Sequence, residues 1–460
     1  MTPDEVRTKR ATVVGGARSG RAVARLLAEV GGTVFLTEQG PLSAPTEAAL
    51  EAAGVAYEWG GHTARALETE FLVLSPGVPT QSSLVQQALR AGLAVYSEVE
   101  VASWFCAAPI VAITGTNGKT TTTRLTGRVL QQALADAPGR EVLVAGNIGD
   151  PLSNHVLEAR PTDVVVLEVS SFQLDHVEAF RPRVSVLLNI TPDHLARYDH
   201  NFEAYVQAKC NIFRNQGAGD VVVYNRDDET VRAAVETMAR EAAVSARPLT
   251  LDGLPEAGGG VCEDELVLRT GDQAEPLLPR DAFPLRGRHN VYNALAAAVA
   301  ARSLGVGRDA LREGLAGAEG VPHRLEEVRT VDGVLYVNDS KATNVSAVWY
   351  ALQSFARPVV LIAGGRDKGN DYTDLKPLVR EGGRAVVALG ESAETVMRAL
   401  GPQVPRCVRA DSMEEALRRA RALACRGDTV LLSPACASFD MYESYKERGT
   451  HFRRLVEALP

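Results

Sequence analysis

Short β-branched runs alternate with Ala- and Leu-rich stretches almost from one end of this chain to the other, a rhythm that restricts the fold to βαβ units and mainly parallel sheets. A first series holds RATVVGG, GTVFLTE, EFLVLSP and LAVYSE and closes near Trp104–Ala108. A second opens at APIVAITGTNGKTTTT and runs through EVLVAGNIG, TDVVVLEVSS, RVSVLLNIT and DVVVYNR. Between Ala246 and Pro284 the texture changes to Pro, Gly and short alternating runs, which predicts a small antiparallel appendage. The Ala-rich NVYNALAAAVAARSLGV predicts a packed helix, and after Gly320 a third series holds GVLYVNDS, RPVVLIAGG, RAVVALGE and DTVLLSPA. The expectation is an α/β protein of three domains at 1–106, 107–320 and 321–460. The first and last are Rossmann-like, and the central one is a parallel-sheet domain carrying the appendage.

At 460 residues the chain exceeds one ordinary core. A net charge of -8 argues against a general nucleic-acid binder, although local amides and one lysine still suffice to hold a phosphorylated small molecule. The opening MTPDEVRTKRATVVGG has no apolar core of a signal peptide, and no apolar run is long enough to span a bilayer. Cys106, Cys210, Cys262, Cys407, Cys425 and Cys436 are scattered without a CxxC pair. Free thiols in a reducing cytoplasm are therefore expected.

The strongest local signal is IVAITGTNGKTTTT at Ile110–Thr123, an apolar strand leading into a Gly-rich turn and a Thr-rich helix start. Amides of such a turn cradle phosphate oxygens, Lys119 supplies positive charge to a transferring phosphoryl group, and Thr120 offers its hydroxyl to a Mg²⁺. The common phosphate-loop pattern would place glycine at position 113, which is Ile113; the first glycine is Gly115, giving the tighter GTNGKT. In this form the segment resembles the ATP loop of the Mur ligase and folylpolyglutamate synthetase superfamily, whose members phosphorylate a carboxylate and couple the acyl phosphate to an amine. The resemblance implies a P-loop ATPase-type central domain, with Gly115, Thr116, Asn117, Gly118, Lys119, Thr120 and Thr121 around the nucleotide.

Glu168 ends the strand VVVLE, where a carboxylate beside a phosphate-loop strand is placed to hold Mg²⁺. His194, in NITPDHLARYD, reads by itself as a loop or capping residue; the resemblance implies a ligand of a second Mg²⁺, with Asp193 as a weaker candidate. Lys209, in NFEAYVQAKCNIF, reads as surface charge on an amphipathic helix. The resemblance implies instead a lysine carbamylated by CO₂ that ligates magnesium, since an ammonium would repel the ion. Asn147 is either a turn former or an amide orienting substrate, and Asn290 in GRHNVYNA either a helix N-cap or a nucleotide contact. Ser170, Ser171 and Gln173 resemble the SSFQL signature of the D-glutamate-adding members.

In TVVGGARSGRAVA the dinucleotide pattern is broken because Ala17 stands at its second glycine, while Glu38 takes the place of a ribose-binding acid. Mur ligases use a similar layout for the UDP part of the substrate. Gly16, Arg18, Ser19, Glu38, Ser75, Gly77, Asn147, Ser170 and Gln173 are the implied contacts, with SPGV at Ser75–Val78 open to a plain Pro-Gly turn reading. In the last domain Arg324, after His323, resembles the family arginine that reaches the ATP phosphates, with Asp339 near it. Thr343, Lys341, Lys368, Ser433 and Phe439 match positions that hold D-glutamate in the members adding it.

The resemblance spans the chain and implies a monomeric cytoplasmic ligase of peptidoglycan precursor synthesis. It would add D-glutamate to UDP-N-acetylmuramoyl-L-alanine with ATP and two Mg²⁺ ions, through an acyl phosphate, with closure of the last domain assembling the site. A relative adding another amino acid is the alternative. Outside the family stand a P-loop switch hydrolysing ATP without a second substrate and a nicotinamide oxidoreductase using Gly15–Gly20 and Glu38.

Overall fold

The computed structural model describes every residue except Thr2, Asp136, Pro138, Ile148, Arg357 and Lys368, and every side chain of those except Pro3 and Glu241. Tertiary contacts divide the chain into two compact units, Met1–Arg280 with Tyr292–Ala316, and Asp281–Val291 with Gly317–Pro460. The first unit holds two sheets. One has five parallel strands, in the order Ala56–Trp59, Thr33–Glu38, Arg10–Val14, Phe71–Leu74 and Ala94–Ser97. Each of its inner strands is an apolar run with helices beside it, the pattern required when both faces are covered.

The second sheet has nine strands, with Ile110–Thr114 between Val184–Leu187 and Val164–Glu168. Its first six strands in the chain pair in parallel. The Pro- and Gly-rich stretch continues the same sheet. Ser245–Leu249 and then Gly258–Cys262 still join in parallel, and Glu265–Thr270 and Gln273–Pro279 follow antiparallel at its edge. The Ala-rich helix Arg288–Ser303 buries Ala294 through Ala301 completely or nearly so, as expected of a helix apolar on all sides.

Two features weld the sheets of the first unit. One core cluster mixes Leu26, Val99 and Ala102 with Leu152, Leu174 and Phe180 of the second sheet. In addition the buried Glu100 carboxylate accepts the backbone N–H groups of Glu178, Ala179 and Phe180 at 3.0, 2.9 and 2.8 Å.

The second unit is a six-stranded mixed sheet, ordered Glu326–Val331, Val334–Asn338, Thr429–Leu432, Val359–Gly364, Gly383–Leu389 and Cys407–Ala410. Only its first pair is antiparallel. Among the described residues no helix is long and apolar enough to cross a membrane.

Candidate active site

Three neighbouring parallel strands of the nine-stranded sheet end together. Ile113 pairs with Glu168 on one side, Thr114 with Leu187 on the other, and the loops that follow emerge at the C-terminal edge, where open α/β sheets bind ligands. The loop after Ile110–Thr114 turns on Gly115 (φ 151°) and Gly118 (φ 87°), then enters the helix Lys119–Ala133. Glycine is required at Gly118 on two counts. Its φ is left-handed, and a Cβ there would lie 2.5 Å from the Asn293 side-chain oxygen.

Asn189 clamps this loop from the neighbouring strand end. Its carbonyl oxygen accepts Thr116 N–H at 2.8 Å, its side-chain oxygen accepts Asn117 N–H at 2.8 Å, and its amide donates to Asn117 O at 3.0 Å. Two lysines converge on the Gly115 carbonyl: Lys119 Nζ donates to it at 2.8 Å and to Thr116 O at 2.9 Å, and Lys209 Nζ donates to it at 2.9 Å.

Lys209 is 1 % exposed, so the expectation of a surface charge is overturned. The helix Phe202–Cys210 turns it inward, one helical turn beyond Tyr205, whose ring lies 4.6 Å from its Nζ. Tyr205 in turn meets the Thr116 hydroxyl at 3.1 Å. Burial first, and then repulsion from Lys119, pushes the Lys209 amine well below the usual lysine range, while Asp193 pulls it back up. Neutral amine is therefore much more accessible here than at a surface lysine.

Glu168 is 1 % exposed; its Oε1 accepts the Asn147 side-chain amide at 2.9 Å, while its Oε2 is buried without a partner. Asn147 thus acts on Glu168 directly. A buried carboxylate oxygen without a donor is costly, and a cation offsets that cost. His194 sits at φ 53° on the exposed turn after Val184–Leu187, its ring edge-on to Phe172 at 5.3 Å. Among the described residues no three His, Cys, Asp or Glu side chains converge as a ready metal site, so a site at Glu168 would need the Thr120 hydroxyl or a modified lysine as well.

Ser170 and Gln173 close on each other: Gln173 Oε1 accepts both the N–H and the hydroxyl of Ser170 at 3.0 Å, and Gln173 is 1 % exposed. They build the start of the short helix Ser171–Leu174, and that capping spends the Gln173 oxygen expected for substrate.

In the five-stranded sheet, Glu38 accepts Gly16 N–H at 2.5 Å and Gly40 N–H at 3.0 Å. Gly15 (φ 98°) lies so close to the buried Ser75 that a Cβ would meet its side chain at 2.9 Å. Glycine loop, Glu38 and Ser75 therefore form one cluster. Ser19 lies in the first turn of the helix Arg18–Glu29 that follows the glycine loop, and Gly77 lies just past Ser75, whereas exposed Arg18 lines a cavity with Arg21 and Arg25.

The second unit holds the remaining candidates. Asp339 accepts the Ser433 hydroxyl at 2.7 Å and Leu325 N–H at 3.2 Å, and burial lifts its carboxyl to about 6 despite Ser433 and Arg324 nearby. Ser433 is fully buried and its single proton is spent on Asp339, so it stands behind Asp339 rather than facing a ligand. Arg324 Nε is buried without a partner, and Arg324 lines a cavity of about 390 Å³ with Asn290, Arg286 and Glu327. Asn290 falls inside the first turn of Arg288–Ser303 and donates to Arg286 O at 2.7 Å, which excludes the N-cap reading. Lys341 Nζ lies 5.9 Å from the Tyr445 ring, Thr343 is half-buried just beyond it, and Phe439 is 62 % exposed. Lys368 lies outside the described residues. Sequence reasoning missed Asn189, Tyr205, Asn293 and Tyr445; only Asn189, directly past a strand beside the phosphate-loop strand, carried a usable signal.

A phosphate loop on a parallel sheet, with a buried carboxylate and a buried lysine at the same edge, defines an ATP-dependent ligase of amino acids. Residues 10–84 match the MurD N-terminal domain, 113–301 the Mur ligase middle domain and 323–436 the glutamate ligase domain of Mur ligases; the chain belongs to the Mur ligase family. A UDP-N-acetylmuramoylalanine--D-glutamate ligase of Salinibacter ruber is 71% identical over 459 residues, covering 100% of both chains. Its counterpart in Chloroherpeton thalassium is 45% identical, covering 99% of both. Solved structures share the fold. A pseudomurein peptide ligase type C from Methanothermus fervidus has a TM-score of 0.61 at 20% identity, covering 98% of this chain and 99% of that chain. The UDP-N-acetylmuramate-alanine ligase of Thermotoga maritima has 0.59 at 18%, with the same coverage.

Proposed function

We propose that this chain joins D-glutamate to UDP-N-acetylmuramoyl-L-alanine, converting ATP to ADP and phosphate, as a step of peptidoglycan precursor synthesis. The observation that carries the reading is the meeting of Lys119 and the buried Lys209 on the Gly115 carbonyl, on the sheet edge that also holds the partnerless Glu168 oxygen. Identity to the Salinibacter ruber and Chloroherpeton thalassium ligases supports the choice of substrates. We further infer that the chain works in the cytoplasm as a monomer. Residues 1–106 bind the UDP moiety through Gly16, Ser19, Glu38, Ser75 and Gly77; 107–320 bind ATP; 321–460 bind the amino acid through Lys341, Thr343, Lys368 and Phe439.

The chemistry follows from these groups. An oxygen of the alanyl carboxylate attacks the γ-phosphorus of ATP and ADP departs. The amine of D-glutamate then attacks the acyl carbon, loses a proton, and phosphate leaves from the tetrahedral intermediate. Lys119 leaves its loop carbonyls to neutralise the transferring phosphoryl group, and the amides of Gly115–Thr121 fix its direction. Magnesium supplies further charge neutralisation when bound; Thr120, Glu168, His194 and a carbamate of Lys209 are the groups that would hold its one or two ions. The unpaired Glu168 Oε2 fits a cation, and the depressed basicity of Lys209 favours the neutral amine that adds to CO₂. Arg324 and Asp339 serve the nucleotide with Asn290.

The test is phosphate release with the UDP-linked substrate and a panel of D- and L-amino acids. Release that depends on both substrates and is fastest with D-glutamate is expected. Lys119→Ala should lower turnover by roughly three orders of magnitude, the scale for a preorganised charge at a reacting centre. Release without the UDP-linked substrate, or preference for another amino acid, would refute the assignment.

A further inference from the structure

Arg197 is a half-buried arginine whose Nε–H is buried without an acceptor and which makes no ion pair among the described residues. Asp175, the acid that attracts it, is already engaged by the Tyr198 hydroxyl at 3.2 Å. Desolvating a guanidinium without an acid is unfavourable, and an apolar side chain would fill such a place at lower cost. What Arg197 does instead is join its own His194 turn to two distant segments, the Ser75–Gln81 loop and the short helix that carries Phe172. Its Nη2 donates to Val78 O at 2.7 Å, and its guanidinium lies over the Phe172 ring at 4.0 Å. Its own backbone N–H donates to His194 O at 3.0 Å, and its carbonyl accepts the Gln81 side-chain amide at 3.1 Å. Phe172 completes the circuit, because its ring is the one against which His194 stands.

We propose that Arg197 is a positioning residue for the UDP-linked substrate: it holds the Ser75–Gln81 loop against Phe172 and the His194 turn, and so sets the distance from the UDP site to the phosphate loop. This rests on the functional reading above, in which Ser75 and Gly77 contact that substrate. A planar cation is suited to the task, since it stacks on an aromatic face and donates in its own plane at the same time. The Thr80 hydroxyl meets His176 Nε2 at 2.8 Å, which anchors the far end of the loop and leaves the Val78 end to Arg197.

The experiment compares the full chain with Arg197→Ala and Arg197→Lys, measuring KM for the UDP-linked substrate, ATP and D-glutamate. Loss of a charged hydrogen bond predicts a roughly ten- to hundredfold rise in KM for the UDP-linked substrate in Arg197→Ala. KM for ATP should change less than about threefold, since no ATP-loop contact is lost. Arg197→Lys, which keeps a donor but loses the plate over Phe172, should fall between. Guanidinium ion at millimolar concentration should lower the raised KM of Arg197→Ala without altering that for ATP, a response no general loss of stability produces. An unchanged KM for the UDP-linked substrate, or equal rises for all three substrates with no response to guanidinium, would overturn the proposal. Wild-type protein that releases no phosphate in response to the UDP-linked substrate would sink the functional reading itself, and this proposal with it, before any variant is compared.

Discussion

Asp339 follows the strand Val334–Asn338 with 4 % of its surface exposed, and burial raises its carboxyl from 3.8 to about 6. Two units of pKa correspond to about 3 kcal/mol. The sign follows from proton binding: between pH 4 and 6 the native state keeps a proton that the unfolded chain has lost. The burden on the native state is therefore complete above about 6 and absent below about 4. Asp339→Asn removes the charge but leaves one acceptor oxygen for two donors, the Ser433 hydroxyl and Leu325 N–H, at a cost of about 1 kcal/mol. The variant should accordingly be more stable than wild type by about 2 kcal/mol at pH 8 and less stable by about 1 kcal/mol at pH 4. Urea unfolding of the ligand-free chain at both pH values measures this. The same variant should have a raised KM for ATP, because a charge kept at the expense of stability belongs to function. Equal effects at pH 8 and pH 4 would show that charge is not the cause, and destabilisation at pH 8 would refute the argument outright.

Lys209→Arg should be as inactive as Lys209→Ala, since a guanidinium forms no stable carbamate, and a small carboxylate in the buffer should restore part of the activity of the alanine variant alone; full activity in Lys209→Arg removes the carbamate from the account. Gly118→Ala forces a left-handed φ of 87° on a residue with a Cβ that meets the Asn293 oxygen at 2.5 Å. It should lose roughly 1–2 kcal/mol of stability and most ATP binding while still binding the UDP-linked substrate, as read by calorimetry.

Much of the fold was open to inspection in the amino-acid order. Runs such as Ile110–Thr114 and Val164–Glu168 are apolar throughout because both faces of a parallel sheet are covered, and the glycine turn after the first needs only local geometry. The strands that escaped notice, Ala56–Trp59, Glu326–Val331 and Cys407–Ala410, are edge strands with half-exposed, mixed side chains, so no burial pattern marks them. The site divides the same way. GTNGKT and Glu168 announce themselves because turn chemistry and strand ends are local.

The condition of each side chain is set by partners far along the chain. Lys209 reaches a carbonyl 94 residues away, Ser433 a carboxylate 94 residues away, and Arg197 the Val78 carbonyl 119 residues away. Desolvation and hydrogen-bond partnership are properties of a packed interior, and no spacing within a helix or loop encodes them. Sequence alone therefore determined the apolar inner strands, the phosphate loop and the ligase class. Only the tertiary structure decided that Lys209 is buried beside Lys119, that Ser433 supports Asp339, and that Arg197 ties the Ser75–Gln81 loop to the His194 turn.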